Sequence, residues 1–549
     1  MLINPTNQSK TKLKPWQLHV LASVFLLLIY NMPFWSELKS IINPLDFSGW
    51  LFMGSVALLL LTLINLLLNL LCYRFTYKVI YVFVFIGSSM ALYFIQQYNI
   101  IIDRDMVQNV IETNPSEAFD FVNSTLFIYL FLLGILPLII VFRLQVKFNT
   151  LKQELLTKLK VIIISLVTIA ILLYGSYPSY ASLARGNRHI SHIIVPTNFI
   201  FASISYTNQR FKSARMPLAK ISQDVKLGQL WQKKKDKTVV VLVLGETARA
   251  DHFSLNGYDK LTNPKLSQQE IINFEQTTSC GTSTAISLPC MFSHLDRDNF
   301  SKNKANNSEN VLDFIANGGF SVQWRDNNTG CKGICERVDF IDLSKEKNNP
   351  LCETGECFDE ILLTNFTQQI IENPNNQLIV MHQKGSHGPA YYLRYPKEFE
   401  QFTPVCSTNK LQNCESKSIN NAYDNTILYT DHVVNQVIEE LKQLPKEYNT
   451  ALVYISDHGE SLGENNIYLH GTPYFMAPDA QTHVPFLLWF SNQFSQNFGI
   501  DTRCLNKKSN SSFSHDNLFH SLLGLLNLKT SYYQTQKDIF AGCRITAHE

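Results

Sequence analysis

The residues of this chain whose types and spacing could do chemistry sit just past the ends of apolar runs. Thr238 to Leu244 (TVVVLVL) runs into Gly245-Glu246-Thr247, and Ala451 to Ile455 runs into Ser456-Asp457-His458-Gly459-Glu460. A third run, Gln377 to Met381, precedes a polar loop at 382–389 that holds His387. A carboxylate, an adjacent Asp-His pair and a further imidazole make a donor set for a divalent metal such as zinc. Adjacent Asp457 and His458 can face one metal if the chain turns sharply at the strand end, and Glu246 can supply a third ligand. Each residue alone is more often a structural group than a ligand. The agreement of three strand ends is what favours a metal.

Metal-assisted chemistry on a phosphate also needs a nucleophile. The segment Ser279-Cys-Gly-Thr-Ser-Thr-Ala285 is small and polar. It has two readings: a Thr/Ser-rich helix cap, or a hydroxyl at a helix N-terminus, where a phosphate meets free N–H donors and a favourable dipole. A hydroxyl bound to zinc is acidified and becomes nucleophilic. The local sequence leaves both readings standing.

The elements that must position these groups follow from the patterning. Four apolar runs, at 238–244, 377–381, 451–455 and 484–490, alternate with helical patterns at 310–317, 358–372 and 420–443. Strands alternating with helices predict an α/β domain with a central, mostly parallel sheet covered on both faces. Such sheets bind ligands beyond the C-terminal ends of their strands.

This domain occupies only part of the 549 residues. The whole chain has a net charge of +2, 46% hydrophobic and 17% charged residues, which excludes a disordered chain and a strongly basic nucleic-acid binder. The average conceals a split: residues 1–180 carry 12 Lys/Arg and 8 Asp/Glu, and the remainder 35 and 37. The first part contains five apolar stretches, 18–35, 51–71, 79–95, 125–142 and 161–177, each about long enough to cross a bilayer. The first is read as a span rather than a signal peptide, because no small-residue cleavage site follows it and four more stretches do. Basic residues mark the cytoplasmic loops: Lys10, Lys12 and Lys14; Arg74 and Lys78; Arg143, Lys147, Lys152, Lys158 and Lys160. Five spans that start inside place everything after residue 178 outside. The expected organisation is a transmembrane domain at 1–178, bridging interfacial helices and linker at 179–232, and a catalytic domain at 233–549. No internal repeat is visible. In the loop 96–124, helical spacing puts Asn109, Glu112 and Thr113 on one face. That face is either a solvated amphipathic helix or a polar surface directed at a lipid headgroup.

Of eleven cysteines, only Cys72 lies in the membrane part. An even count of ten in a domain outside the cytoplasm predicts disulfides. Spacing pairs them as Cys280–Cys290, Cys331–Cys335, Cys352–Cys357 and Cys406–Cys414, leaving Cys504–Cys543. The rival is a structural zinc site built from Cys331, Cys335, Cys352 and Cys357.

These segments also carry a resemblance. GETARADHFSLNGYDKLTNP (245–264), CGTSTAISLPCMFS (280–293), SDHGESLGE (456–464), LHGTP (469–473) and APDAQTHVP (477–485) resemble the phosphoethanolamine transferases of Gram-negative bacteria. That family includes the lipid A-modifying and mobile colistin-resistance enzymes and belongs to the alkaline phosphatase superfamily. The resemblance covers essentially the whole chain. It implies Thr284 as nucleophile and one tightly bound zinc on Glu246, Thr284, Asp457 and His458, with room for a second metal. His387 and His470 match positions near the substrate phosphate or that second metal, and Lys332 matches a basic residue near the phosphate. Asn109, Thr113 and Glu117 match positions linked to the phosphoethanolamine headgroup. His483 is left between a site role and a structural one. The implied reaction moves phosphoethanolamine from phosphatidylethanolamine to lipid A in two displacements, through a covalent threonine intermediate. The implied setting is a monomer in the bacterial inner membrane with its catalytic domain in the periplasm, no nucleic-acid partner, and resistance to cationic peptides as the outcome. The rivals are transfer to another acceptor such as core heptose or a glucan, a phosphodiesterase on the same scaffold, and a binding protein with a dead site.

Overall fold

A computed structural model describes residues 13–42, 47–113, 115–213, 216–233, 236–346, 349–352 and 356–545. Lys10, Lys12, Asp46, Arg215, Lys234 and Lys235 therefore lie outside the described residues. The chain forms two compact units. One comprises 1–107 and 122–206; the other comprises 108–121 and 207–549. The second unit thus takes in a short piece of chain that a linear cut assigns to the membrane part.

The first unit is helical. Among the described residues, four helices are long and apolar enough to cross a membrane: Phe47–Leu71, Tyr77–Tyr98, Ser124–Arg143 and Leu151–Gly175. A fifth candidate is the pair Pro15–Tyr30 and Met32–Ile42, bent by 65°. The first predicted stretch, 18–35, runs across this bend. The break falls at Asn31, just before Pro33, whose ring removes a backbone donor and crowds the preceding turn. The buried Asn31 side chain ties this bend to the chain at Val195. It donates to the carbonyls of Leu26 and Val195 and accepts the N–H of Val195.

The second unit is an α/β domain around a seven-stranded sheet. In chain order the strands are β1 (Thr238–Gly245), β2 (Ile272–Phe274), β3 (Ser321–Asp326), β4 (Asp339–Asp342), β5 (Gln377–His382), β6 (Asn449–Ser456) and β7 (Phe486–Phe490). Their order across the sheet is β2-β7-β6-β1-β5-β3-β4. Strand β1 is buried along its length, as its β-branched run requires, and pairs in parallel with both β5 and β6. Val240, Leu242 and Leu244 alternate onto one face and join the main core with the helices Val311–Asn317 and Leu518–Leu525. Burial of each such side chain contributes roughly 1.5–3 kcal/mol. The helix Ser416–Gln443 packs against β6.

The sheet is mixed. Strand β7 runs antiparallel to both its neighbours, β6 and β2. The reason is local. The chain between Ser456 and Phe486 stays at one end of the sheet and builds part of the site there. It can therefore only return in the opposite direction, since a parallel return needs a crossover to the other end. Strand β3 was not visible as an apolar run because it contains Gln323 and Arg325. Arg325 is nevertheless buried, with its guanidinium donating to the carbonyls of Leu362 and Thr364 and to Gln369.

Candidate active site

The ends of β1, β5, β6 and β3 place Glu246, His382, Asp457 and Asp326 at one end of the sheet. Loop geometry then draws them together. The Asp457 N–H donates to the Gly245 carbonyl at 3.0 Å, carrying the β1–β6 ladder one residue further. Asp457 Oδ1 accepts the N–H groups of His458 (2.7 Å) and Thr247 (3.2 Å). That leaves Oδ2 buried and without a hydrogen-bond partner. Gly385, at φ +55°, lets the loop after β5 pass over Glu246: a Cβ there would lie 2.6 Å from the Glu246 carbonyl oxygen.

Glu246, Asp457 and His458 are fully buried and offer ligand atoms that all lie within 4.8 Å of one another. His458 Nδ1 bonds to the Gly459 carbonyl at 2.9 Å, so that nitrogen carries the proton and Nε2 presents a lone pair. Nε2 is 3.4 Å from both Glu246 Oε1 and Asp457 Oδ2. Burial pushes the Asp457 carboxyl up from its ordinary range, and burial with the nearby His470 pushes the His458 imidazole well down. Two buried carboxylates, one with an orphaned oxygen, beside a neutral imidazole suit a divalent cation by donor type, spacing and charge.

Thr284 opens the helix Thr284–Met291. Its Oγ1 donates toward Glu246 at 3.1 Å from Oε2 and stands 3.4 Å from His458 Nε2. Both earlier readings of this segment describe the same place. Ser283 is the N-cap but makes no side-chain cap bond, so the first N–H groups of the helix have no cap partner. Ser283, Thr284 and Ala285 line a pocket together with Asn328, Lys332, His387 and His470. Lys332, at φ +50°, donates from Nζ to Thr329 Oγ1 at 2.7 Å. The rings of His387 and His470 are 5.1 Å apart, and those of His458 and His470 are 4.6 Å apart.

The same pocket is lined by Asn109, Glu112 and Thr113, from the piece of chain that belongs to this unit. The helical spacing read within the loop 96–124 is carried by two helices, Arg104–Glu112 and Pro115–Asp120, with proline starting the second. Glu117 lies in the second helix, and its side chain is outside the described residues. His483 is turned away from the pocket, with Nε2 on the Glu275 carbonyl at 2.6 Å, a structural bond.

Some members of the site escaped the sequence. His382 is buried, with Nδ1 2.8 Å from Asp326 Oδ1. Burial works to raise Asp326, but the bonds from His382 and Trp324 outweigh it and hold the carboxyl below its ordinary range. Asn328 Nδ2 donates to Glu246 Oε2 and to the Gln383 carbonyl, both at 2.8 Å. Glu460 Oε2 holds His470 Nδ1 at 2.7 Å. The rule that found Glu246 and Asp457, an acid or imidazole at a strand end, also picks out His382. It missed Asp326 because β3 itself was not recognised. The cysteines are joined as 280–290, 331–335, 352–357, 406–414 and 504–543, so Cys331, Cys335, Cys352 and Cys357 are not a thiolate zinc site.

Comparison with known proteins places this geometry among relatives. A family model described as Sulfatase matches residues 238–528, and one described as Phosphoethanolamine transferase EptA/EptB matches residues 60–211. Phosphoethanolamine transferase EptA of Escherichia coli (strain K12) is 39% identical over 530 residues, covering 96% of each chain. Phosphatidylethanolamine transferase Mcr-1 of Escherichia coli is 35% identical over 495 residues, covering 88% of this chain and 91% of the relative. Among solved structures, the integral membrane protein lipooligosaccharide phosphoethanolamine transferase A (EptA) from Neisseria meningitidis superposes with a TM-score of 0.92 at 36% identity. It covers 97% of this chain and 100% of its own.

Proposed function

The chain belongs to the phosphoethanolamine transferase family, and we propose that it moves phosphoethanolamine from phosphatidylethanolamine to a lipid A phosphate through a covalent intermediate on Thr284. It is a multi-pass enzyme of the bacterial inner membrane with its catalytic domain on the periplasmic side. The relative named a phosphatidylethanolamine transferase supports this donor, and the one named for lipooligosaccharide supports an acceptor of that lipid class. The observation that carries the reading is Thr284 Oγ1, 3.1 Å from Glu246, at a helix N-terminus that opens on a pocket lined by Lys332, His387 and His470.

The residues present fit a zinc ion, which Glu246, Asp457, His458 and Thr284 would hold. Bound there, zinc would acidify the threonine hydroxyl and offset the charge of the phosphodiester. Glu246 orients Oγ1 by accepting its hydrogen bond. The uncapped N–H groups at Thr284 and Ala285, with Lys332, attract the phosphate oxygens. The Thr284 hydroxyl passes its proton to Nε2 of His387 or His470 as Oγ1 attacks phosphorus in line; the P–O bond to diacylglycerol breaks, and that imidazolium returns the proton to the leaving oxygen. A lipid A phosphate hydroxyl then attacks the phosphothreonine, giving its proton to the same imidazole, which passes it to Oγ1 as Oγ1 leaves. Two displacements give ping-pong kinetics. Masking a phosphate with an amine lowers the negative charge that attracts polymyxins and other cationic peptides. Asn109 and Thr113 line the donor side of the pocket as headgroup contacts; Glu117 is assigned there by resemblance alone.

Mass spectrometry of lipid A from a polymyxin-sensitive host expressing wild type or Thr284→Ala tests the reading. Phosphoethanolamine additions with wild type only are the expected result. Unmodified lipid A beside folded wild-type protein would overturn the acceptor assignment, and free phosphoethanolamine would then identify a phosphodiesterase.

A further inference from the structure

Arg394 is buried, yet no step above uses it. Its guanidinium ties together three separate pieces of chain. Nε donates to the His387 carbonyl at 2.8 Å, within the loop that carries that imidazole. NH1 pairs with Glu356, inside the loop closed by Cys352–Cys357, where Lys384 Nζ also reaches Glu356 at 2.8 Å. NH2 pairs with Asp120, at the far end of the 108–121 segment. Asn409 Nδ2 adds a second tie to the same place by donating to the Asp120 carbonyl.

Among the described residues, two cations, Arg394 and Lys384, face two carboxylates, Glu356 and Asp120. A guanidinium suits this task because its planar fork can satisfy several acceptors at once in fixed directions. The other end of the 108–121 segment carries Asn109, Glu112 and Thr113 into the pocket of Thr284. Between these ends one helix, Arg104–Glu112, stops and a second, Pro115–Asp120, starts. The segment's placement over the nucleophile therefore depends on how its Asp120 end is pinned.

We propose that Arg394 and Asp120 form a positioning latch that sets the donor-headgroup wall of the pocket relative to His387 and Thr284. The proposal rests on the transferase reading, because it assigns the latch to binding of the phosphoethanolamine donor. Neither residue touches the reacting atoms.

The test uses the full-length protein in mixed micelles with phosphatidylethanolamine as donor, following diacylglycerol release. Asp120→Asn removes the ion pair and leaves the Asn409 tie intact. The expected result is a donor KM raised about tenfold with kcat within about twofold, the signature of lost ground-state binding. Bound metal and thermal midpoint stay at wild-type values. Asp120→Glu recovers part of the KM, and Asn409→Ala gives a smaller rise of the same kind. Wild-type kinetics in both Asp120→Asn and Asn409→Ala would overturn the latch, as would a fall in kcat with KM unchanged. An inactive wild type would instead overturn the transferase reading itself, which keeps the two failures distinct.

Discussion

Glu460 and His470 are joined by a hydrogen bond of 2.7 Å between Oε2 and Nδ1, and the other oxygen of Glu460 accepts the Tyr391 hydroxyl at 2.8 Å. Glu460 is fully buried, so its carboxylate is held by these two donors rather than by water. The proton of the neutral imidazole then sits on Nδ1, and Nε2 is the nitrogen available to the pocket. Glu460→Gln replaces the charged acceptor on Nδ1 with a neutral amide and weakens the hold on that proton. The expected result is a kcat lowered by about 10- to 100-fold with the donor KM little changed. Steady-state kinetics, with Glu460→Asp as the conservative comparison, check this.

Thr284 is the only hydroxyl bonded to Glu246 among the described residues. Wild-type enzyme given donor without acceptor should gain the mass of one phosphoethanolamine on the peptide containing residue 284. Thr284→Ala should gain none and lose turnover by about a thousandfold or more, since no neighbouring group can replace a nucleophile. An adduct on Thr284→Ala would place the intermediate elsewhere.

The orphaned Asp457 Oδ2 makes a prediction about stability rather than rate. A cation bound only by the folded state at 100 times its dissociation constant contributes about 2.7 kcal/mol. Zinc added to metal-stripped protein should therefore raise the thermal midpoint by several degrees, and chelator should reverse the rise. Asp457→Asn should abolish the response. A chelator-insensitive midpoint in wild type would argue against a metal at this place.

Glu356 supplies the pH dependence. Burial works to raise its carboxyl, but Arg394 and Lys384 outweigh burial and hold it down to about 2. A carboxyl depressed by folding contributes stability that is complete above its ordinary pKa, ~4.3. That contribution is lost as the pH falls toward the folded value of about 2. Denaturant midpoints of wild type should accordingly fall between those limits. Glu356→Gln should start lower at neutral pH and show a flatter acid limb. Parallel curves for the two proteins would refute the assignment.

The strands of the core were legible because burial imposes composition. Strand β1 is enclosed on both faces and can be nothing but apolar, and its end announces itself at Gly245-Glu246. Strand β3 was hidden because its Arg325 is hydrogen-bonded by carbonyls from residues 362 and 364, partners distant in the chain. The antiparallel course of β7 was hidden for a related reason. An apolar run has no direction, and only the path of the connecting loop supplies one.

Sequence alone determined the chemistry available: a carboxylate, an Asp-His pair and a small hydroxyl segment at strand ends, an apolar anchor, and ten cysteines in one compartment. These depend on residue type and short-range spacing, which the chain carries openly. Tertiary structure alone decided that Asp457 turns one oxygen to backbone donors and leaves the other bare. It also decided that Glu460 bonds His470, and that a piece of chain near residue 110 joins a pocket whose Thr284 lies some 170 residues later. Such relationships depend on directions of hydrogen bonds and on contacts between remote segments, and these exist only once the backbone has closed around them.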